Sequence, residues 1–263
     1  MKAPFTTLTA ALALAAALAI APAAAQDTPV AGGAGDLSPV KILLTMKKVY
    51  GRCASYRDTG EVTTASKVEG GSFGSRQPFA TAFVRSGGFL FRYTDTGLGE
   101  RQNTYTVWLD DGGVLAWWDA SPGLRRSPSL EEALDAASGV SSGASVRVPG
   151  LLMPEKVRGG AFLIAPERLA DADDRGTACV RLRGRSRETP YTLTTGTGTV
   201  TVEDEHVTLW IDASSFLLRR VEQQQVLSTY RTTITTTYDP RMDVEVPPAD
   251  LTFTPPETPG GGQ

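Results

Sequence analysis

The feature that most restricts this chain is a run of short segments in which apolar and polar residues alternate, because alternation fits a β-strand with one face buried. Asp111-Gly112 separates two such segments, 107–109 and 114–115, and is typical of a hairpin turn. Segments joined by such short turns pair as antiparallel strands. The predicted strands of this first run lie at about 57–68, 78–86, 89–95, 103–109 and 113–119.

A second run of alternating residues begins near residue 177 and predicts a second antiparallel meander. Within it, Val207, Leu209 and Ile211 alternate with Thr208, Trp210 and Asp212, and a turn follows at residues 213–215. The predicted strands of this run lie at about 177–186, 207–212, 216–226 and 229–238.

Helical patterns precede the first run and separate it from the second. Ser38-Pro39 supplies an N-cap and a first-turn proline for a helix over about 38–55. Ser129 precedes a second helix with Glu131 in its first turn. A short third helix is predicted to close at Pro154, and a loop-rich stretch around residues 171–174 follows.

These patterns predict an α+β chain of many antiparallel strands, with one early helix and helical insertions in the middle. We expect four regions along the sequence. They are a signal peptide over 1–25, a flexible leader rich in Ala and Gly over 26–37, a single domain over 38–254, and a disordered tail rich in Pro and Gly over 255–263.

The amino terminus has the three parts of a secretory signal. Lys2 gives the positive start, residues 8–20 form an apolar core, and Ala23-Ala24-Ala25 provides a small-residue cleavage site. The alternative is a membrane anchor, but the run is short for a bilayer, which needs roughly 20 residues. We therefore predict export to the periplasm, with secretion to the medium as the alternative, and no transmembrane segment in the mature chain.

The two cysteines are Cys53 and Cys179. In an oxidising compartment an even pair predicts a disulfide, and two buried free thiols are the alternative. A single histidine, His206, makes a zinc site improbable, and no cofactor is expected. The net charge of −3, with dispersed basic residues, argues against nucleic acid as a partner.

Catalytic patterns are weak in this sequence. A Ser-His-Asp arrangement would require His206, which lies beside acidic residues in a predicted strand and fits a solvated surface histidine better. The adjacent pairs Asp110-Asp111 and Asp173-Asp174 fit turns better than a paired acid and base. We expect no enzyme activity, and a hydrolase with an unrecognised site is the alternative.

Bulky apolar residues occupy both faces of several predicted strands. Phe89-Leu90-Phe91 and Trp117-Trp118 are the clearest examples, although a one-sided sheet leaves every second residue in water. One strand face could therefore line a cavity. Ordinary burial beneath the helices is the alternative for these residues.

Two strings near the carboxyl end resemble a known superfamily. Residues 207–212, read with 218–222, are similar to a strand–turn–strand pattern "W-I-D … L-x-R" of the LolA/LolB/RseB group of periplasmic lipoprotein carriers and sensors. Residues 244–253 resemble the closing strand of that group. The resemblance implies an incomplete antiparallel β-barrel of about eleven strands, covered by a few helices, with a cavity that holds acyl chains in the carriers.

The resemblance implies a periplasmic carrier that holds an acyl chain or another apolar ligand, with a lipid or an acylated protein as partner. The alternative is a sensor of the RseB type that binds a periplasmic protein and transports nothing. The cavity lining is predicted to include Phe89, Phe91, Trp108, Trp117 and Leu209, and a movable lid is predicted at Leu151, Leu152 and Met153.

Overall fold

The computed structural model describes residues 34–96, 102–121, 123–160, 163–195, 198–228 and 230–256. The predicted signal peptide, residues 26–33 of the leader and residues 257–263 of the tail lie outside these ranges. The helices are α1 (Pro39–Arg52), α2 (Leu130–Ser138) and α3 (Ala144–Leu152). The strands are β1 (Ser55–Val68), β2 (Gly71–Val84), β3 (Gly88–Asp95), β4 (Asn103–Asp110), β5 (Gly113–Trp118), β6 (Arg125–Ser127), β7 (Ile164–Asp174), β8 (Thr177–Arg185), β9 (Tyr191–Thr195), β10 (Gly198–Asp212), β11 (Leu218–Leu227), β12 (Arg231–Tyr238) and β13 (Arg241–Met242).

All thirteen strands of the described residues belong to one antiparallel sheet. Its order is β6-β5-β4-β3-β2-β1-β12-β11-β10-β8-β7, with β13 paired to β1 and β9 paired to β10. Strands β6 and β7 stand at opposite ends of this order, so the sheet stays open. The predicted fold class, an incomplete antiparallel barrel with a few helices, is confirmed, and eleven strands form the main path as expected.

Helix α1 begins where the sequence predicts. The Ser38 hydroxyl accepts a hydrogen bond from the Lys41 amide at 3.4 Å. The helix ends at Arg52, three residues before the predicted end, because Cys53 is already extended. Its buried side carries Ile42, Leu43, Met46 and Tyr50, which pack into the main core.

Arg85, just beyond β2, ties the ends of two helices together. Its guanidinium donates to the carbonyl oxygens of Tyr50 at 3.0 Å, Cys53 at 2.7 Å and Leu152 at 3.2 Å. The last carbonyls of a helix have no partner within the helix, and a cation there also complements the helix dipole. The carboxyl ends of α1 and α3 are therefore held by one side chain.

The last part of the predicted leader is folded. Residues 34–36 form a short 3₁₀ turn in which Ala34 is buried and its amide donates to the Ala213 carbonyl at 3.2 Å. Arg168 on β7 donates to the carbonyl oxygens of Ala34 at 2.7 Å and Gly35 at 2.8 Å. Residues 34–36, which the sequence assigned to the flexible leader, are therefore part of the folded domain. Composition does not reveal the backbone hydrogen bonds that Ala213 and Arg168 make with them.

Two apolar clusters lie on opposite faces of the sheet. The larger one fills the space between the helices and the inner face, and includes Phe89 and Phe91. The smaller one, on the outer face, contains Leu90, Trp108, Leu115 and Trp117, with Phe253 packed on it. The Phe253 ring meets Trp108 edge-on at 5.2 Å between centroids. The carboxyl-terminal segment, rather than a cavity, therefore explains the bulky residues on the outer strand face.

Two sequence expectations about strands are wrong. The loop-rich stretch around residues 171–174 belongs to the edge strand β7, in which only Asp174 is buried and every other residue is exposed or half-buried, so little apolar alternation appears in its sequence. The expected closing strand over 244–253 is irregular apart from a 3₁₀ turn at Pro248–Asp250. Pro247 and Pro248 lack the amide donors that a strand ladder requires.

The predicted disulfide is also wrong, because Cys53 and Cys179 are separate buried free thiols. Cys53 directly precedes β1, whereas Cys179 lies on β8, and strands β12, β11 and β10 come between them. A disulfide requires Cα atoms within about 7 Å. Because neighbouring strands are spaced by about 4.8 Å, the three intervening strands keep the two cysteines beyond that distance. The alternative of two buried thiols is the observed one.

A candidate ligand-binding cavity

A cavity of about 950 Å³ lies between the helices and the carboxyl-terminal half of the sheet. One wall, here called the roof, comprises the end of α2, the turn over 139–143, the start of α3 and residues 158–160. The opposite wall, here called the floor, is formed by residues that follow β8 and by strands β9 to β12. This volume falls at the upper end of the roughly 300–1,000 Å³ found for small-molecule sites.

The roof is a helical hairpin held by buried serines. The Ser145 hydroxyl donates to the Leu134 carbonyl at 2.8 Å, and the Ser145 amide donates to the Ser141 hydroxyl at 3.2 Å. Gly143 is the N-cap residue of α3 and has φ +80°, a conformation that a glycine adopts without strain. The roof then folds back on itself, since the chain at Gly160 crosses α3 at Gly150 so closely that a Cβ on Gly150 would lie 2.6 Å from the Gly160 nitrogen.

The interior is apolar on both walls. Val207 and Leu209 on β10 face the cavity together with Ile234 on β12, and Val140 and Val146 face it from the roof. A smaller pocket of about 130 Å³ adjoins it and shares Ala136 and Val140 with it, while Tyr105, Ala116, Trp117, Trp118 and Arg125 complete its lining. An elongated apolar group could thus extend from the floor strands towards β4 and β5.

Beneath the lining residues of the floor, on the same face of the sheet, lies a buried carboxylate, Glu205 on β10, which is fully inaccessible to solvent. It accepts hydrogen bonds from the Tyr191 hydroxyl at 2.5 Å, from Gln223 at 2.8 Å and from Gln225 at 3.1 Å. The amide and hydroxyl of Ser186 also donate to it. Burial opposes ionisation, but these donors together outweigh it and hold the pKa of Glu205 below its usual range. All four donor residues line the cavity, so Glu205 fixes the polar part of the floor.

Three arginines line the cavity against one aspartate, Asp135. Arg147 on α3 spans the space from roof to floor, donating to Gln223 at 3.0 Å and to the Ser142 carbonyl at 2.8 Å. Arg187 lies over the Tyr191 ring at 4.6 Å. Arg158 is 92% exposed, and its Nε lies 3.6 Å from a carboxylate oxygen of Glu131. The polar side of the cavity is therefore rich in positive charge.

Of the predicted lining residues, only Leu209 lines the large cavity, and Trp117 lines the smaller pocket. Phe89 and Phe91 belong to the main core, and Trp108 belongs to the outer cluster. The residues predicted to form a lid, Leu151, Leu152 and Met153, are buried in the main core at the end of α3.

His206 lies on the opposite side of β10 from Val207 and Leu209 and does not line the cavity. Its side chain is 42% exposed, and its Nε2 lies 3.3 Å from a carboxylate oxygen of Asp204. This position matches the surface histidine expected from the sequence. Among the described residues, no helix combines the length and hydropathy needed to cross a bilayer.

Fold and cavity together define a helix-roofed antiparallel half-barrel. No protein-family model matches the sequence, and no curated protein matches it.

Solved structures do match the chain. LprF from Mycobacterium bovis is 12% identical at a TM-score of 0.39, over 82% of this chain and 97% of that one. The lipoprotein LppX from Mycobacterium tuberculosis is 11% identical at 0.37, over 79% and 94%. A LolA superfamily protein from Nitrosomonas europaea is 13% identical at 0.30, over 82% and 98%.

Proposed function

We propose that this chain is an exported binding protein that holds an acyl chain or another apolar group in the cavity between roof and floor, as a periplasmic carrier in lipid or lipoprotein trafficking. The observation that carries the proposal is the cavity of about 950 Å³ with aliphatic side chains on both walls. Burying apolar ligand surface there contributes about 25 cal/mol per Å², with little need for precise polar contacts.

The polar side of the cavity supports an amphiphile rather than a plain hydrocarbon. Arg147 and Arg187 line the same space as Val207 and Leu209. An anionic or strongly polar end group would lie against these guanidinium groups while its apolar chain contacts the aliphatic residues. Guanidinium groups bind carboxylates and phosphates through paired hydrogen bonds.

The first test is native mass spectrometry of protein that was exported with its own signal and purified without detergent, followed by organic extraction. We expect a co-purifying lipid or acylated species. A fluorescent apolar probe added to extracted protein should then bind in the cavity. An apo mass together with no probe uptake would refute the carrier and favour an interaction module of the sensor type, whose partner is a protein.

A matched pair of variants tests the position of the ligand. Val146→Trp adds a large ring on the roof, inside the cavity. Val68→Trp adds the same ring at the end of β1, where Val68 is exposed and away from the cavity lining. We expect Val146→Trp to lower probe affinity about tenfold or more, whereas Val68→Trp retains it. Equal affinity in both variants would place the probe elsewhere.

A further inference from the structure

We propose that the outer face of helix α1 docks the protein on an anionic lipid surface. The face is defined by Val40, Lys41, Leu44, Lys48 and Arg52. Val40 is 55% exposed and Leu44 is 60% exposed, which makes them two of the most exposed large apolar side chains among the described residues. This site is separate from the cavity, so it does not depend on the proposed carrier function.

The geometry of the helix places these side chains together. Residues 40, 44 and 48 are spaced by four and therefore stack on one side of an α-helix. The opposite side, with Ile42, Met46 and Tyr50, is packed into the main core. The docking face is thus held rigidly outward, and its apolar residues cannot turn inward to avoid water.

The charge of α1 contrasts with that of the whole protein. The helix contains four basic residues and no acidic one, whereas the full chain has a net charge of −3. The rest of the chain therefore carries −7. A small cationic and apolar face on an acidic protein is complementary to a surface that is negative outside and apolar beneath. An anionic bilayer has that composition.

The apolar pair favours lipid over a soluble polyanion. A polyanion would contact the lysines and the arginine but would leave Val40 and Leu44 in water. In a bilayer interface the two aliphatic side chains enter the acyl boundary while Lys41 and Lys48 extend to the headgroups. Because α1 packs on α3, docking would also hold the cavity roof near the lipid.

The test is co-sedimentation of the purified mature chain with vesicles of phosphatidylglycerol and phosphatidylethanolamine, compared with phosphatidylcholine vesicles. We expect binding to the anionic vesicles that weakens at high salt, and little binding to phosphatidylcholine. Lys41→Glu/Lys48→Glu should weaken binding at least about tenfold. Val40→Ser/Leu44→Ser should also weaken binding. The size of this loss should depend less on vesicle charge than the loss caused by the lysine substitutions.

Controls separate the face from general effects of exposure, charge and folding. Phe73→Ser removes an apolar side chain of similar exposure, 53%, from the β1–β2 hairpin. Lys67→Glu/Lys156→Glu makes the same charge change outside α1. Both should bind vesicles like wild type, and circular dichroism and the melting temperature should show every variant folded.

Four outcomes would overturn the docking face. They are no vesicle binding by wild type at low salt, equal binding to both vesicle types, loss of binding in the control variants, and unchanged binding in both α1 double variants. The cavity variant Val146→Trp keeps the two proposals distinguishable. It should lose the apolar probe but retain vesicle binding, whereas the α1 variants should lose vesicles but retain the probe.

Discussion

The most direct test of the core concerns Asp58, a carboxylate buried in β1 with only 4% of its surface exposed. The Thr81 amide donates to it at 2.9 Å and the Tyr56 hydroxyl at 2.8 Å. Burial nevertheless dominates and raises the pKa of Asp58 to about 6 from an ordinary value of 3.8. Asp58→Asn keeps the shape of the side chain and removes its charge.

The size of the effect follows from linkage. A carboxyl whose pKa is raised on folding binds its proton more tightly in the native state, so the native protein loses stability as pH rises from about 4 to above 6. Raising the pKa from 3.8 to about 6 corresponds to roughly 3 kcal/mol of stability. The amide that Asp58→Asn introduces cannot ionise, so the variant avoids this loss. The stability of the variant relative to wild type should therefore increase by about 3 kcal/mol between pH 4 and pH 7.5.

The assay is urea unfolding of both proteins at several pH values, because all other titrating groups cancel in the difference. Tyr56→Phe serves as the control. It removes one hydrogen bond to the carboxylate but leaves the charge, so it should raise the pKa of Asp58 further. The pH-dependent loss of stability should therefore extend to higher pH than in wild type. A difference that stays flat from pH 4 to 7.5, or that falls with rising pH, would show that folding does not raise the pKa of Asp58.

Three other changes should destabilise the fold. Glu205→Gln should lower the free energy of unfolding by about 2–3 kcal/mol near neutral pH, because the new amide NH2 group faces hydrogen-bond donors. The difference in stability from wild type should narrow below pH 4.5, where the Glu205 carboxylate of wild type becomes protonated, and urea unfolding at two pH values tests this. Arg85→Met should cost about 1–2 kcal/mol by freeing helix carbonyls, and equal melting temperatures would contradict it. Gly150→Ala should cost about 1–3 kcal/mol because its Cβ would lie 2.6 Å from the Gly160 nitrogen, whereas Gly139→Ala, with open space around it, should melt like wild type.

The regular elements were predictable because their local patterns agree with their environment. Ser38-Pro39 fixes the start of α1, and Asp111-Gly112 fixes the β4–β5 hairpin. Strand β7 was not predictable in this way, because an exposed edge strand needs no apolar alternation. The disulfide was predicted ahead of the alternative of two free thiols, since spacing in sequence does not reveal which strands come between two cysteines.

The site was predicted only in outline. Helices over a half-barrel implied a cavity, but alternation does not say which face is covered by a distant segment, and Phe253 covers Trp108. One signal was available for Glu205. It has the same parity as Val207 and Leu209 on β10, so the alternation that buries those residues also buries this carboxylate. A buried acid among apolar neighbours requires hydrogen-bond donors, which Gln223 and Gln225 provide at the same parity on β11.

The sheet order has a consequence for how the cavity can open. The chain starts at the centre with β1, proceeds outward to β6, crosses through α2 and α3 to the opposite edge at β7, and returns inward to β12 beside β1. The roof is thus a covalent connection between the two edge strands, β6 and β7, and is attached to the sheet at both of its ends. Cleavage of the chain within the turn over 139–143 would leave two fragments, each with several complete strands. The fragments would still pair through the β1–β12 ladder, which runs from Gly60 opposite Tyr238 to Lys67 opposite Arg231. The sheet therefore consists of two halves that are hydrogen-bonded to each other at its centre. Within the described chain, the roof segment is the only covalent connection between the two halves.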